Sequence, residues 1–194
     1  MQPQTAPLLL TLLAATLAPA ATNPPLAPGD PLPALTGRRV TLPAASQGHV
    51  TLLLLGFSYD SRFAVEAFTK RFRADFPAAS NTSPNAAPNA TPAATPTFYE
   101  IPMIGGFGRL GKWFIDSGMR RGTPPADHTH VITIYGGTDP WKQRLRVSDP
   151  THAYLILLDA AGRIAWLHHG PFDAAAARTL ATETRRLLPK PPAP

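Results

Sequence analysis

Between Gly48 and Ser58 the chain reads His49-Val-Thr-Leu-Leu-Leu-Leu-Gly-Phe57, an apolar run without a charge and without alternation. A strand with one wet face alternates apolar and polar side chains, so this run predicts a strand buried on both faces, at the centre of a sheet. The residues after it predict a helix. Ser58, Tyr59, Asp60 and Ser61 form a polar turn in which Asp60 or Ser61 can act as N-cap, and Phe63, Ala67, Phe68, Phe72 and Phe76 then recur at helical spacing up to Pro77.

Further elements follow in the same way. Residues 39–42 and 98–104 read as strands, the second with Pro102 near its end or on an edge that tolerates a missing N–H. A glycine-rich stretch leads into a helix over about 110–119, a strand over 131–135 and a helical turn over 140–145 with Pro140 at its start. Residues 153–159 and 163–167 form a hairpin in which Gly162 supplies positive φ. Asp173 caps a last helix with the stripe Ala177, Leu180, Ala181, Thr184, Leu187 and Leu188; Arg185 and Arg186 suit its C-terminal end, and Pro189 stops it. Strand, helix, strand, helix, strand, hairpin, helix is the order of an α/β sandwich around a mixed sheet.

The flanks differ in character. Residues 1–20 contain the apolar stretch 8–17 followed by Ala18-Pro-Ala20, the pattern of a cleaved signal peptide, and the stretch is short for a membrane span. Exported, periplasmic or extracellular placement is therefore expected. Because no Lys or Arg precedes the stretch, an uncleaved N-terminal membrane anchor is the alternative. Residues 21–36 read as a Pro/Ala-rich linker, 37–188 as one domain, and 189–194 as a Pro-rich tail. Within the domain, 78–97 is a low-complexity insertion expected to bury almost nothing.

The chain contains no cysteine. This excludes thiol–disulfide exchange and peroxide reduction by a cysteine thiolate. The formal charge of +6 is spread from Arg38 to Lys190, which suits an anionic membrane surface or a membrane protein partner but lacks the clustering of a nucleic-acid site.

Three motifs invite a chemical reading. Gly106, Gly108 and Gly111 with Lys112 match a phosphate-binding pattern, but Trp113 stands where a hydroxyl is needed for Mg²⁺, so a bend that lets Trp113 and Phe114 pack is the expectation. His128, His130 and one of His168 and His169 are candidate metal ligands, since neighbours on a strand point to opposite faces. Arg109, Lys112, Trp113, Arg120 and Arg121 form the densest mixture of basic and aromatic side chains, an expected contact surface for an anionic or membrane-embedded partner.

Pro28 to Pro33 leading to residues 37–42, residues 50–57 running into a helix, and Leu155-Ile-Leu-Leu-Asp159-Ala-Ala-Gly162-Arg-Ile164 resemble the thioredoxin-like superfamily, particularly its peroxiredoxin and membrane-tethered redox branches. That resemblance implies a thioredoxin-like sandwich over about residues 28–188. It also places the turn 57–63, with Ser58 and Ser61, where redox members hold a reactive cysteine. A proline before a late strand is a further superfamily mark, and Pro150 lies early for it. Residues 101–104, the aromatic–basic segment after them, Leu145-Arg-Val147, residues 154–159, and Gly162 to Trp166 with Gly170 are similar to the mitochondrial F0 ATP synthase assembly factor family. Together these features imply a noncatalytic exported binding or assembly factor for a membrane complex, with no catalytic residue and no cofactor assigned. The alternative is an exported enzyme with metal-assisted chemistry on its histidines.

Overall fold

The computed structural model describes residues 23–37, 40–81, 94–105 and 130–190. Two short strands, β1 (Leu35–Thr36) and β2 (Thr41–Leu42), pair antiparallel; the apolar run then becomes β3 (Thr51–Gly56). Helix α1 (Ser61–Asp75), β4 (Thr97–Ile104), β5 (Ile134–Tyr135), α2 (Asp139–Arg144), β6 (Ala153–Leu158), β7 (Ile164–Gly170) and α3 (Ala174–Leu187) follow. The main sheet has the order β5-β4-β3-β6-β7, parallel across β5, β4 and β3 and antiparallel across β3, β6 and β7.

β3 is therefore central, and Leu52, Leu53, Leu54 and Leu55 are all fully buried. Leu52 and Leu54 pack with Phe68 and Phe72 of α1 and Leu180 of α3. Leu53 and Leu55 pack on the other face with Tyr99, Tyr154 and Trp141. Burying a leucine side chain stabilises by about 1.5–3 kcal/mol, so these four anchor both layers.

Several expectations need correction. Residues 26–36 are not a linker: Leu32 and Leu35 are buried, the Leu26 N–H donates to Arg144, and the Gly29 N–H donates to Ile164. The apolar residues spaced among the prolines are what dock this arm. Helix α1 buries Ser61, Ala64, Val65, Phe68, Thr69 and Phe72, which leaves Phe63 on the opposite side and exposed. The strand expected over 131–135 is reduced to Ile134–Tyr135 with a single bridge from Val131 to Glu100. Pro102 explains the gap. The carbonyls of Glu100 and Ile104 accept from Ile132 and Gly136, so Pro102 faces the same side, where it has no N–H to offer.

The hairpin forms as the sequence predicts, with φ +78° at Gly162, and Asp173 caps α3 by accepting the Ala176 N–H at 2.8 Å. Both ends of the expected insertion belong to the core. Ala79 and Thr97 are fully buried and the Thr97 N–H donates to Val50; residues 82–93 lie outside the described residues. Excising 82–93 and rejoining the chain with a short turn is expected to cost less than about 1 kcal/mol of unfolding free energy in urea titrations, whereas excising 78–97 costs more than about 2 kcal/mol.

Candidate functional site

Phe57 carries β3 out of the sheet into Ser58, Tyr59 and Asp60, and α1 begins at Ser61. The turn lies where β3 and its parallel neighbour β4 both finish, the carboxyl end at which open α/β sheets hold their ligands. A rung of the ladder joins Gly56, Ala153 and Gly170. Residues 57–61, 149–153 and 169–173 therefore meet at one end of the molecule.

Ser58 and Ser61 close on each other's main chain. The Ser58 Oγ accepts the Ser61 N–H at 3.2 Å; the Ser61 Oγ accepts the Ser58 N–H at 3.3 Å and donates to the Ser58 carbonyl at 2.7 Å. Ser61 is 1% exposed, whereas Ser58 faces outward. The cap expected from Asp60 or Ser61 is thus supplied by Ser58: Asp60, at φ −77° and ψ −25°, makes no side-chain cap bond. Gly56 makes room for the arrangement. A Cβ there would stand 2.5 Å from the Ser61 Oγ, so a bare Cα lets the first turn of α1 rest on β3.

Both hydroxyls are engaged by backbone, and among the described residues no histidine bonds to either, so neither is activated as a nucleophile. Cysteines in these two seats would face a helix N-terminus, which stabilises a thiolate, but the chain contains none. Pro150 stands in the turn before β6, which begins at Ala153, so it does not directly precede the strand as the superfamily proline does.

Tyr59, Phe63 and Phe172 are the exposed large apolar side chains of the described residues, and all three lie at or near this end. The Arg62 guanidinium stacks 3.8 Å from the Tyr59 ring centre and 4.5 Å from that of Phe63. Arginine framed by exposed rings is the composition of a contact surface. Sequence reasoning missed it by placing Phe63 on the buried stripe. The spacing of Ala64, Val65, Phe68 and Phe72 is the signal that separates Phe63 from that stripe.

The candidate metal ligands do not come together. His130 is buried against β4, its ring stacked 4.5 Å from Phe98 and its Nδ1 donating to the Phe98 carbonyl at 2.9 Å. His130 lies on the β5 side of β4, whereas His168 sits on β7, with β4, β3 and β6 between them across the sheet. His168 and His169 point to opposite faces as expected: one meets Phe68, the other Tyr154. Among the described residues no three His, Asp or Glu side chains are placed to hold a metal ion. His128, the glycine-rich stretch with Gly106, Gly108 and Gly111, and the basic–aromatic set Arg109, Lys112, Trp113, Arg120 and Arg121 lie outside the described residues.

No known protein family matches the chain, and no curated protein matches it. Solved structures do. A thioredoxin-like superfamily protein superposes with a TM-score of 0.53 at 14% identity, covering 84% of this chain and 98% of its own. A candidate protein disulfide isomerase from Bacteroides thetaiotaomicron superposes with a TM-score of 0.52 at 17% identity, covering 84% of this chain and 91% of its own. At such identities the likeness is one of fold: the chain has a thioredoxin-like fold, an α/β sandwich about a mixed sheet, without a cysteine in it.

The serine pair carries a direct prediction. Side chains that reach each other's backbone across one turn are close enough for a disulfide. The double variant S58C/S61C is expected to form an intramolecular disulfide under mild oxidant, read as loss of both free thiols by mass spectrometry without dimer formation. Two thiols still free after oxidation contradict the geometry described.

Proposed function

We propose that the protein is an exported, noncatalytic binding or assembly factor that uses a thioredoxin-like scaffold at or near a membrane, outside the cytoplasm. One observation carries the reading. At the turn where this fold is suited to thiol chemistry, Ser58 and Ser61 are committed to the main chain, and the surface around them is rings and a guanidinium. A scaffold so altered has contact surface to offer and no redox centre.

The assembly part of the reading draws on the resemblance of residues 101–104, 154–159 and 162–166 to the F0 ATP synthase assembly factor family; the two solved structures above bear no mark of that family. The membrane part draws on the apolar stretch 8–17, on the charge of +6, and on Arg109, Lys112, Trp113, Arg120 and Arg121 as the surface for a membrane protein or an anionic membrane. Among the described residues no helix is long and apolar enough to cross a membrane. The metal-assisted enzyme is the weaker reading, because His130 and His168 stand on opposite sides of β3.

The test is crosslinking and pull-down from a membrane fraction with the wild-type chain and the R120E/R121E variant at matched fold content. Recovery of a partner that falls with rising salt and falls again in the variant supports both the binding role and the surface. Equal recovery by both chains rejects that surface, and no recovery by either rejects the binding role. The same preparations are expected to leave insulin disulfides and peroxide untouched; thiol-like turnover contradicts the reading.

A further inference from the structure

His152, His168 and His169 gather where β7 runs into α3, on two different faces of the sheet. His169 stacks on Tyr154 at 5.5 Å and 7°, and His152 lies 6.5 Å from His169 with its Nε2 3.4 Å from the Asp149 carboxylate. His168 has a different setting. Its ring lies parallel to Trp166 at 5.5 Å and 9° and edge-on to Phe68 at 5.9 Å and 67°, while Phe68 meets Phe172 at 5.1 Å. Its Nε2 is buried with no hydrogen-bond partner. Four rings thus tie β7 and α1 to the turn into α3, and the one that titrates is inside the set.

Few charges face it. His169 follows it on the strand; Asp173 stands at the N-cap of α3 with its carboxylate accepting the Ala176 N–H at 2.8 Å, and Arg178 lies one turn further along that helix. α1 presents Phe68, and its Arg71 and Asp75 are paired with each other at 2.9 Å. From β6, Leu155 is the register partner of His168. We propose that His168 is a pH-sensitive latch on the turn between β7 and α3: neutral, it completes the ring stack, and protonated, it leaves the stack toward Asp173 and releases Phe172 and Trp166.

A proton on Nε2 would create a buried, desolvated donor without an acceptor, which is unfavourable, while the carboxylate of Asp173 favours the charged form at the surface. Burial first, and His169 second, hold His168 below the ordinary imidazole value, with Asp173 opposing. A folded-state value below the unfolded one means that this contribution to stability is whole above the ordinary imidazole range. It is lost as the pH falls through that range toward the folded-state value. The latch stands near Tyr59 and Phe63, yet it holds whether or not a partner docks there.

Hydrogen exchange of the full chain, followed by mass spectrometry at about pH 7.5 and about pH 5.5 and corrected for the chemical rate, tests the latch. Amides over 169–176 are expected to exchange several-fold faster at the lower pH. H168F, which keeps a ring but cannot titrate, is expected to erase that difference, and H169N to retain it. Equal protection of the native chain at both values, or an undiminished difference in H168F, overturns the proposal. If H168F does not fold, NMR titration of the native chain decides: Phe68 and Phe172 ring signals that move with the His168 titration support the latch, and ring signals indifferent to it overturn it.

Discussion

Everything in this structure hangs on β3. Six residues pair with β4 on one side and β6 on the other, and the side chains of Leu52 to Leu55 fill both cores in alternation. A one-residue slip of β3 would exchange the two sets of leucines between layers of different shape, the helical layer under α1 and α3 and the layer closed by the N-terminal arm and α2. The same register places Gly56 beside Ala153 and sets the start of α1 on it, so the turn at Ser58 is positioned by the pairing of the whole strand.

What was legible in the sequence had a local cause. The unbroken apolar run, the Gly162 turn and the Asp173 cap each act within a few residues, and each appears where the sequence predicts it. What was hidden depends on partners far along the chain. The arm at 26–36 reads as a linker because its prolines are local and its docking partners, Arg144 and Ile164, are not. Phe63 reads as core because a phenylalanine at near-helical spacing invites it, and only the helix's rotation on the sheet decides. Pro102 was legible as a constraint, but its effect, the shortening of β5 to two residues, required knowing which carbonyls of β4 face outward.

The candidate site shows the same division. That Ser58 and Ser61 fall in the turn follows from the chain order; that each is bound to the other's main chain follows from Gly56 allowing the helix to settle on the strand. A hydroxyl tied to main chain at a helix start stabilises the turn by about 0.5–2 kcal/mol and is lost to chemistry. This end of the scaffold thus has its two serine hydroxyls bonded to main chain and an outer surface that includes exposed rings and a guanidinium. The histidines divide in a comparable way, because adjacent positions on β7 send one ring into an aromatic set and the next toward Asp149 and His152.

The arm that closes the second core also bears on when the fold can form. Gly29 and Asp30 bond to Ile164, and Arg163 donates to the Gly29 carbonyl across 134 residues. The arm is therefore completed by a hairpin far along the chain. Contacts of such long range are slow to form, because loop closure comes before any gain from pairing. During synthesis the bonds of Gly29, Asp30 and Leu32 to Gly162 and Ile164 wait for the final hairpin, so this edge of the second core is closed only when most of the domain has been made.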